Sequence, residues 1–268
     1  MIRAHLPLSF ILSLAFVGCD GRATETGSTE SDADTDADAD TDADADNGFG
    51  VSGTAIDLMT RTPAAVDLGV SIADPTAALG GGELTILGST TTASDGTWAV
   101  TGVKTTSTLG LFMLVTGGTN MNTATGVALA DYQDLASDEM LTAKTAFVIS
   151  DAFAGIINQS ATPLGYTSTV QVDGVLFIQI RDAAGAPVSG ATVTCGDCGA
   201  PIFYMGDDTT QGLFITGGAP NAATGAAGLA VVPTGPIATY ESEAGTMAGT
   251  QLSGTLPGLA SFIGITVQ

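Results

Sequence analysis

The 268 residues carry 28 Asp and Glu against 6 Lys and Arg, a net charge of −22, with a single histidine, His5. Such a balance argues against nucleic acid as a partner, because Arg61, Lys104, Lys144 and Arg181, the four cations beyond residue 47, are scattered along the chain. The mean hydropathy of +0.36 leaves ample apolar material for one or two cores in the roughly 220 residues behind the acidic run.

Arg3 and His5 form a charged start, and Leu6 to Val17 is almost wholly apolar. This is the pattern of an export signal, and it is too short to span a bilayer as a helix. Gly18 before Cys19 resembles the lipobox of bacterial lipoproteins, with Phe16 where that motif usually has Leu. The resemblance implies cleavage after residue 18, lipidation of Cys19, and a membrane partner reached through that lipid. An ordinary cleaved signal with a stray cysteine is the plainer alternative.

Residues 19–47 read as a linker. From Asp32 to Asp46 a carboxylate stands at every second position with only Ala and Thr between, so there is nothing to bury and strong self-repulsion. Residues 20–46 hold −10 of the total charge. A disordered, extended stalk is expected, spanning at most roughly 90 Å at about 3.3 Å per residue. Asp32, Asp34 and Asp36 mimic the first ligands of an EF-hand loop, but the sixth position lacks Gly and the twelfth lacks Glu, so no metal site is assigned.

From Gly48 the period is two. Val51 to Asp57 and Val66 to Ile72 alternate around a turn at Thr60 to Pro63, further strands are expected at Glu83 to Leu87 and Thr90 to Ala93, and Asp95-Gly96 turns the chain into Thr97 to Val100. Gly53, Asp57, Pro63, Asp95, Gly96 and Trp98 together resemble the carboxypeptidase regulatory-like domain, a transthyretin-like β-sandwich. That resemblance implies a non-catalytic accessory module over residues 48–125, with Trp98 in its core.

Residues 126–168 read as a connector. The carboxylates between Asp131 and Glu139 suggest a solvated loop or helical turn, and Ser150 is placed to cap a short helix over about 151–159. A second sheet segment is expected from Thr169, running through Val170 to Asp182. Asp182, Gly185, Pro187, Gly190, Ala191 and Val193 carry the same family resemblance, or that of Ig-like repeats. Gly228 then repeats the turn of Gly96, and residues 169–268 complete a diverged tandem repeat.

The second unit has extra residues around Cys195, Cys198 and Phe203 to Asp208. If there is a private binding loop, Tyr204, Asp207 and Asp208 are its candidates, for a glycan or an envelope protein. For Cys195 and Cys198, zinc would need a second ligand pair and a redox thiol a helix N-terminus; a local disulfide fits an oxidising compartment. With His5 lost alongside the signal, Ser-His-Asp and Cys-His catalysis are excluded from the mature chain, and Gly80 to Gly82 precede a strand and so form no phosphate cradle. A carboxylate-based enzyme or enzyme accessory acting on glycans is the rival class. The expectation is an all-β protein of two antiparallel β-sandwich units of transthyretin-like or Ig-like type, lipid-anchored in the cell envelope, with a structural or adhesive role and no cofactor.

Overall fold

In the computed structural model, residues 48–64, 67–79, 82–196 and 198–268 are described. The signal, Cys19 and the acidic linker lie outside them. Residues 48–268 fall within one compact unit of an all-β fold.

In the first half, β1 (Phe49–Asp57) lies between β4 (Thr97–Val103), antiparallel, and β7 (Met140–Ser150), parallel. Facing this layer is the run β3 (Thr85–Thr91), β2 (Gly69–Asp74), β5 (Leu111–Thr116), β6 (Asn120–Val127). Between them Val51, Trp98, Val100 and Val148 meet Val70, Ile72, Leu111 and Met113 in one core. Burial alternates along β5 and through the first four residues of β4, as period two requires.

The second half repeats the construction. Here β8 (Val175–Arg181) lies between β13 (Leu229–Val232), antiparallel, and β16 (Leu259–Thr266), parallel. Outside β13 is the short β10 (Phe203–Tyr204). The facing layer is β9 (Thr192–Thr194), β14 (Ala238–Ala244) and β15 (Met247–Ser253), while β11 (Ile215–Thr216) and β12 (Ala219–Pro220) make a small separate hairpin. The turns match in detail. Ala55 N–H donates to Gly96 C=O at 2.9 Å and Ile180 N–H to Gly228 C=O at 2.7 Å, while Ile56 bridges to Pro63 as Arg181 does to Pro187. The two halves thus share the same turn pairings.

Three features differ from the sequence reading. The stretch taken as a connector supplies β7, which holds the same position beside β1 that β16 holds beside β8. Val170–Asp173, taken as the start of a strand, is instead a single helical turn whose Val170 N–H is held by the Asn158 side chain at 2.9 Å. And although most pairings are antiparallel as expected, β1–β7, β16–β8 and β16–β6 are parallel. The last of these joins the halves into one eleven-stranded sheet.

The helix at Ser150 forms as its cap predicts. The Ser150 hydroxyl accepts from Phe153 N–H at 3.2 Å, and α2, which follows the single turn α1 (Thr76–Leu79), spans Asp151–Ala161. Phe153, Ala154, Ile157 and Ala161 bury its inner face against Phe177, Val231 and Phe262. Strand β8 is therefore covered on both sides, since Leu176, Ile178 and Ile180 face the second sandwich core. That is why it reads as an unbroken apolar run.

Beneath α2, Tyr166 donates its hydroxyl to Asp173 at 3.1 Å. Burial, and then the Asp173 charge, push the phenol up to about 12. A raised folded-state value means the unfolded chain loses its proton first, so stability falls as pH rises from about 10 through 12. We expect Tyr166→Phe to flatten that alkaline decline, by roughly 1–3 kcal/mol across the window, in urea melts taken at stepped pH.

Candidate functional site

The loop proposed from the sequence is built, and its polar side chains serve the fold. Tyr204 turns inward, its hydroxyl accepting from Val193 N–H at 2.9 Å and donating to Val193 C=O at 3.1 Å, which pins β10 to β9. Asp207 accepts from Ala226 N–H at 2.6 Å and so closes the turn into β13. The exposed Asp208 accepts from Thr210 N–H at 2.9 Å, and its hydrogen bonds to Thr210 hold its carboxyl below the usual range. Cys195 and Cys198 are paired, with Cα atoms 5.7 Å apart, and Cys198 N–H donates back to Cys195 C=O at 3.1 Å. The pair packs at the edge of the second core rather than at an opening.

A different feature gathers chemistry. The β6–β16 ladder runs from Asn122–Leu259 to Thr125–Phe262 and then stops, so the two strands part like a fork. Where they part lies a cleft of about 670 Å³. Arg61, Lys144 and Arg181, three of the four cations of the folded chain, line it. Exposed Leu109, Ile237 and Leu252 line it too. In a chain of pI ≈ 4.1, that places three of the four cations and three of the eight large exposed hydrophobic residues among the described residues along one opening.

The charges are differently balanced. Lys144 pairs with Asp131 at 2.8 Å. Arg181 donates to the neutral Gln179 amide oxygen, at 3.0 Å from Nε, and Arg61 has no carboxylate partner among the described residues. Neither Arg61 nor Arg181 therefore forms an ion pair among the described residues.

Local backbone geometry sets these side chains. Arg61 and Ala143 both adopt φ of +58°, a conformation unfavourable for side-chain-bearing residues. Ala143 is the extra residue of a bulge in β7, where the register with β1 slips between Val51 and Gly53, and bulges of this kind re-aim the side chains next to them. The Lys144 carbonyl then lies so close to Gly53 that a Cβ there would overlap it. At the fork itself, Gly126 and Gly264 are exposed, which keeps the backbone of both strands open.

Among the described residues there is no cluster of three or more metal-ligating side chains, and no helix is long and apolar enough to cross a membrane. The cleft escaped the sequence reading because its cations stand far apart in the chain and are brought together only by the parallel joining strands.

No family model and no curated protein matches the chain. Among solved structures, the TIE protein of Bacillus anthracis is 11% identical over 82% of this chain with a TM-score of 0.25, and the chain spans 34%, about a third, of that protein. The shaft pilin SpaA of Lactobacillus rhamnosus GG is 8% identical, covering 82% of this chain and 97% of its own, with a TM-score of 0.22. A streptococcal ancillary pilin is 12% identical over 82% and 62%, with a TM-score of 0.21. At these scores the superpositions do not define a common fold.

Proposed function

We propose that this chain is a lipid-anchored, non-catalytic protein of the bacterial cell envelope, built on two carboxypeptidase regulatory-like sandwiches, whose role is adhesive or structural and is exercised through the cleft between them. The observation that carries the binding role is the convergence of Arg61, Lys144 and Arg181 with Leu109, Ile237 and Leu252 on one opening of an otherwise acidic protein. Uncompensated cations beside exposed apolar surface suit a ligand that is anionic and amphipathic. The anchoring role rests on Gly18-Cys19 behind a short apolar segment. A glycan-cleaving role finds less support, because Asp207 and Asp208 are engaged in turns.

The test of the anchor is the intact mass of the mature protein purified from its native host. The expected mass begins at a Cys19 bearing acyl chains, and it is recovered in the detergent phase of a phase-partition experiment. A mature N-terminus elsewhere, or an unmodified Cys19, would overturn the lipid anchor.

A further inference from the structure

We infer that the fork between β6 and β16 binds a single-chain anionic amphiphile of the fatty-acid class, a reading that rests on the cleft being the binding surface. Two glycines carry it. Gly126 of β6 and Gly264 of β16 stand exposed on the two sides of the fork, just past the last rung, Thr125–Phe262. Neither takes a positive φ, and an added Cβ would meet nothing closer than 3.5 Å at Gly126 or 3.9 Å at Gly264. The registers of β6 with β5 and of β16 with β8 run unbroken through them, so neither marks a bulge. A glycine inside a strand costs stability, and where conformation, packing and bulge do not call for it, the remaining reason is close approach by a ligand.

The open sides of the two glycines lie on opposite faces of the sheet and differ in chemistry. Phe262 packs into the core beneath α2, so Gly264, two residues on, turns to that same face, beside its ladder partner Gln179. Arg181 reaches back to Gln179, its Nε donating to the amide oxygen at 3.0 Å, which brings the guanidinium level with Gly264. It forms no ion pair among the described residues. A Cβ on Gly126 would instead lie 3.9 Å from the side chains of both Phe112 and Ile263. Ile263 alternates with Phe262 and Gly264, so this is the other face, and both apolar side chains are half-buried there. All six residues line the cleft.

An amphiphile matches that division. Its carboxylate meets Arg181 over Gly264, and its chain passes between the parted strands to lie over Gly126 against Phe112 and Ile263. A peptide fits less well, because β6 holds β16 as far as Phe262 and Gly249 of β15 lies against the Thr266 carbonyl, leaving little backbone to pair with. Inserted here it would leave its own N–H and C=O groups unbonded; an alkyl chain has none. The cleft, at about 670 Å³, falls within the roughly 300–1,000 Å³ of small-molecule sites.

The test titrates the full mature chain carrying Cys19→Ser, so that no acyl chain of its own takes up the probe, with cis-parinaric acid, a fluorescent fatty acid. Its methyl ester and anilinonaphthalene sulfonate are run in parallel. Parinarate should bind at least tenfold more tightly than the uncharged ester, and Arg181→Gln should remove that preference. Gly264→Val and Gly126→Val, each filling one open side, should each weaken parinarate at least tenfold while the thermal midpoint stays or rises. Comparing acid with ester leaves the protein unaltered, so that result stands whatever a variant does to folding. Equal affinity for acid and ester overturns the anionic head, and parinarate binding that survives both glycine variants overturns the placement at the fork. If the sulfonate binds in an Arg181-dependent way and parinarate does not, the fatty-acid class falls while the cleft stays a binding site. If neither probe binds, the binding role of the cleft falls as well.

Discussion

Phe262→Ala is expected to destabilise the protein by about 3–5 kcal/mol, as complete truncation of a buried aromatic does. Phe262 is 4% exposed and stands at the join. Its ring stacks on Phe177 of β8 with centroids 4.7 Å apart, and meets Phe147 of β7 at 4.9 Å. One side chain therefore bonds the last rung of the β6–β16 ladder to both halves, and no neighbour is free to collapse into the space it would leave. The loss should appear as a fall in Tm on the order of 10 °C, since about 1 kcal/mol corresponds to 2–4 °C for a domain of this size. Because the sheet is continuous, the wild-type protein should melt in a single calorimetric transition. In the variant, separation into two transitions would show the halves uncoupled; an unchanged Tm would show that the three-ring stack contributes little.

Gly53→Ala is the second large effect, and it reaches the cleft. Gly53 pairs with Trp98 on one side and Lys144 on the other. An added Cβ would overlap the Lys144 carbonyl and lie 3.0 Å from the Trp98 ring. Neither can yield easily, because the carbonyl belongs to the bulged strand and the ring is buried in the first core. Forcing them apart should cost about 1–3 kcal/mol, as overpacking does. The same displacement moves Lys144 relative to Asp131, so ligand binding should weaken together with the denaturation midpoint. Gly53→Ala with full stability in urea would show that β7 can shift without cost, and would remove the argument that the bulge fixes the cation.

The turns of both sandwiches were legible in the sequence because their requirements are local. Asp95 accepts from Thr97 N–H at 3.0 Å while Gly96 adopts φ of +78°, and Asp182 accepts from Ala184 and Ala186 N–H at 2.9 Å while Gly185 adopts +83°. Such chemistry sits within a few residues and can be read there. Strand β7 was not legible. Its first half, Met140 to Thr145, carries no apolar alternation and contains the bulge, and inward-facing burial begins only at Ala146. The error at Val170–Asp173 has a different origin. Two valines favour a strand, but the Asn158 side chain and the packing of Val170 into the α2 core decide for a helical turn. The inward turn of Tyr204 was not legible either, because the partner of its hydroxyl, Val193, lies across the fold. Exposure of a tyrosine cannot be inferred from its neighbours in sequence.

The position of β1 has a mechanical consequence. Gly48 leads directly into this strand, which is gripped along its length by β4 on one side and β7 on the other. Tension entering at Gly48 along the strand would load those two ladders in shear, so that many hydrogen bonds must give way together rather than one after another. Force delivered at Gly48 would thus reach the cleft directly, because β7, one of the two strands that grip β1, lines it with Ala143, Lys144 and Thr145.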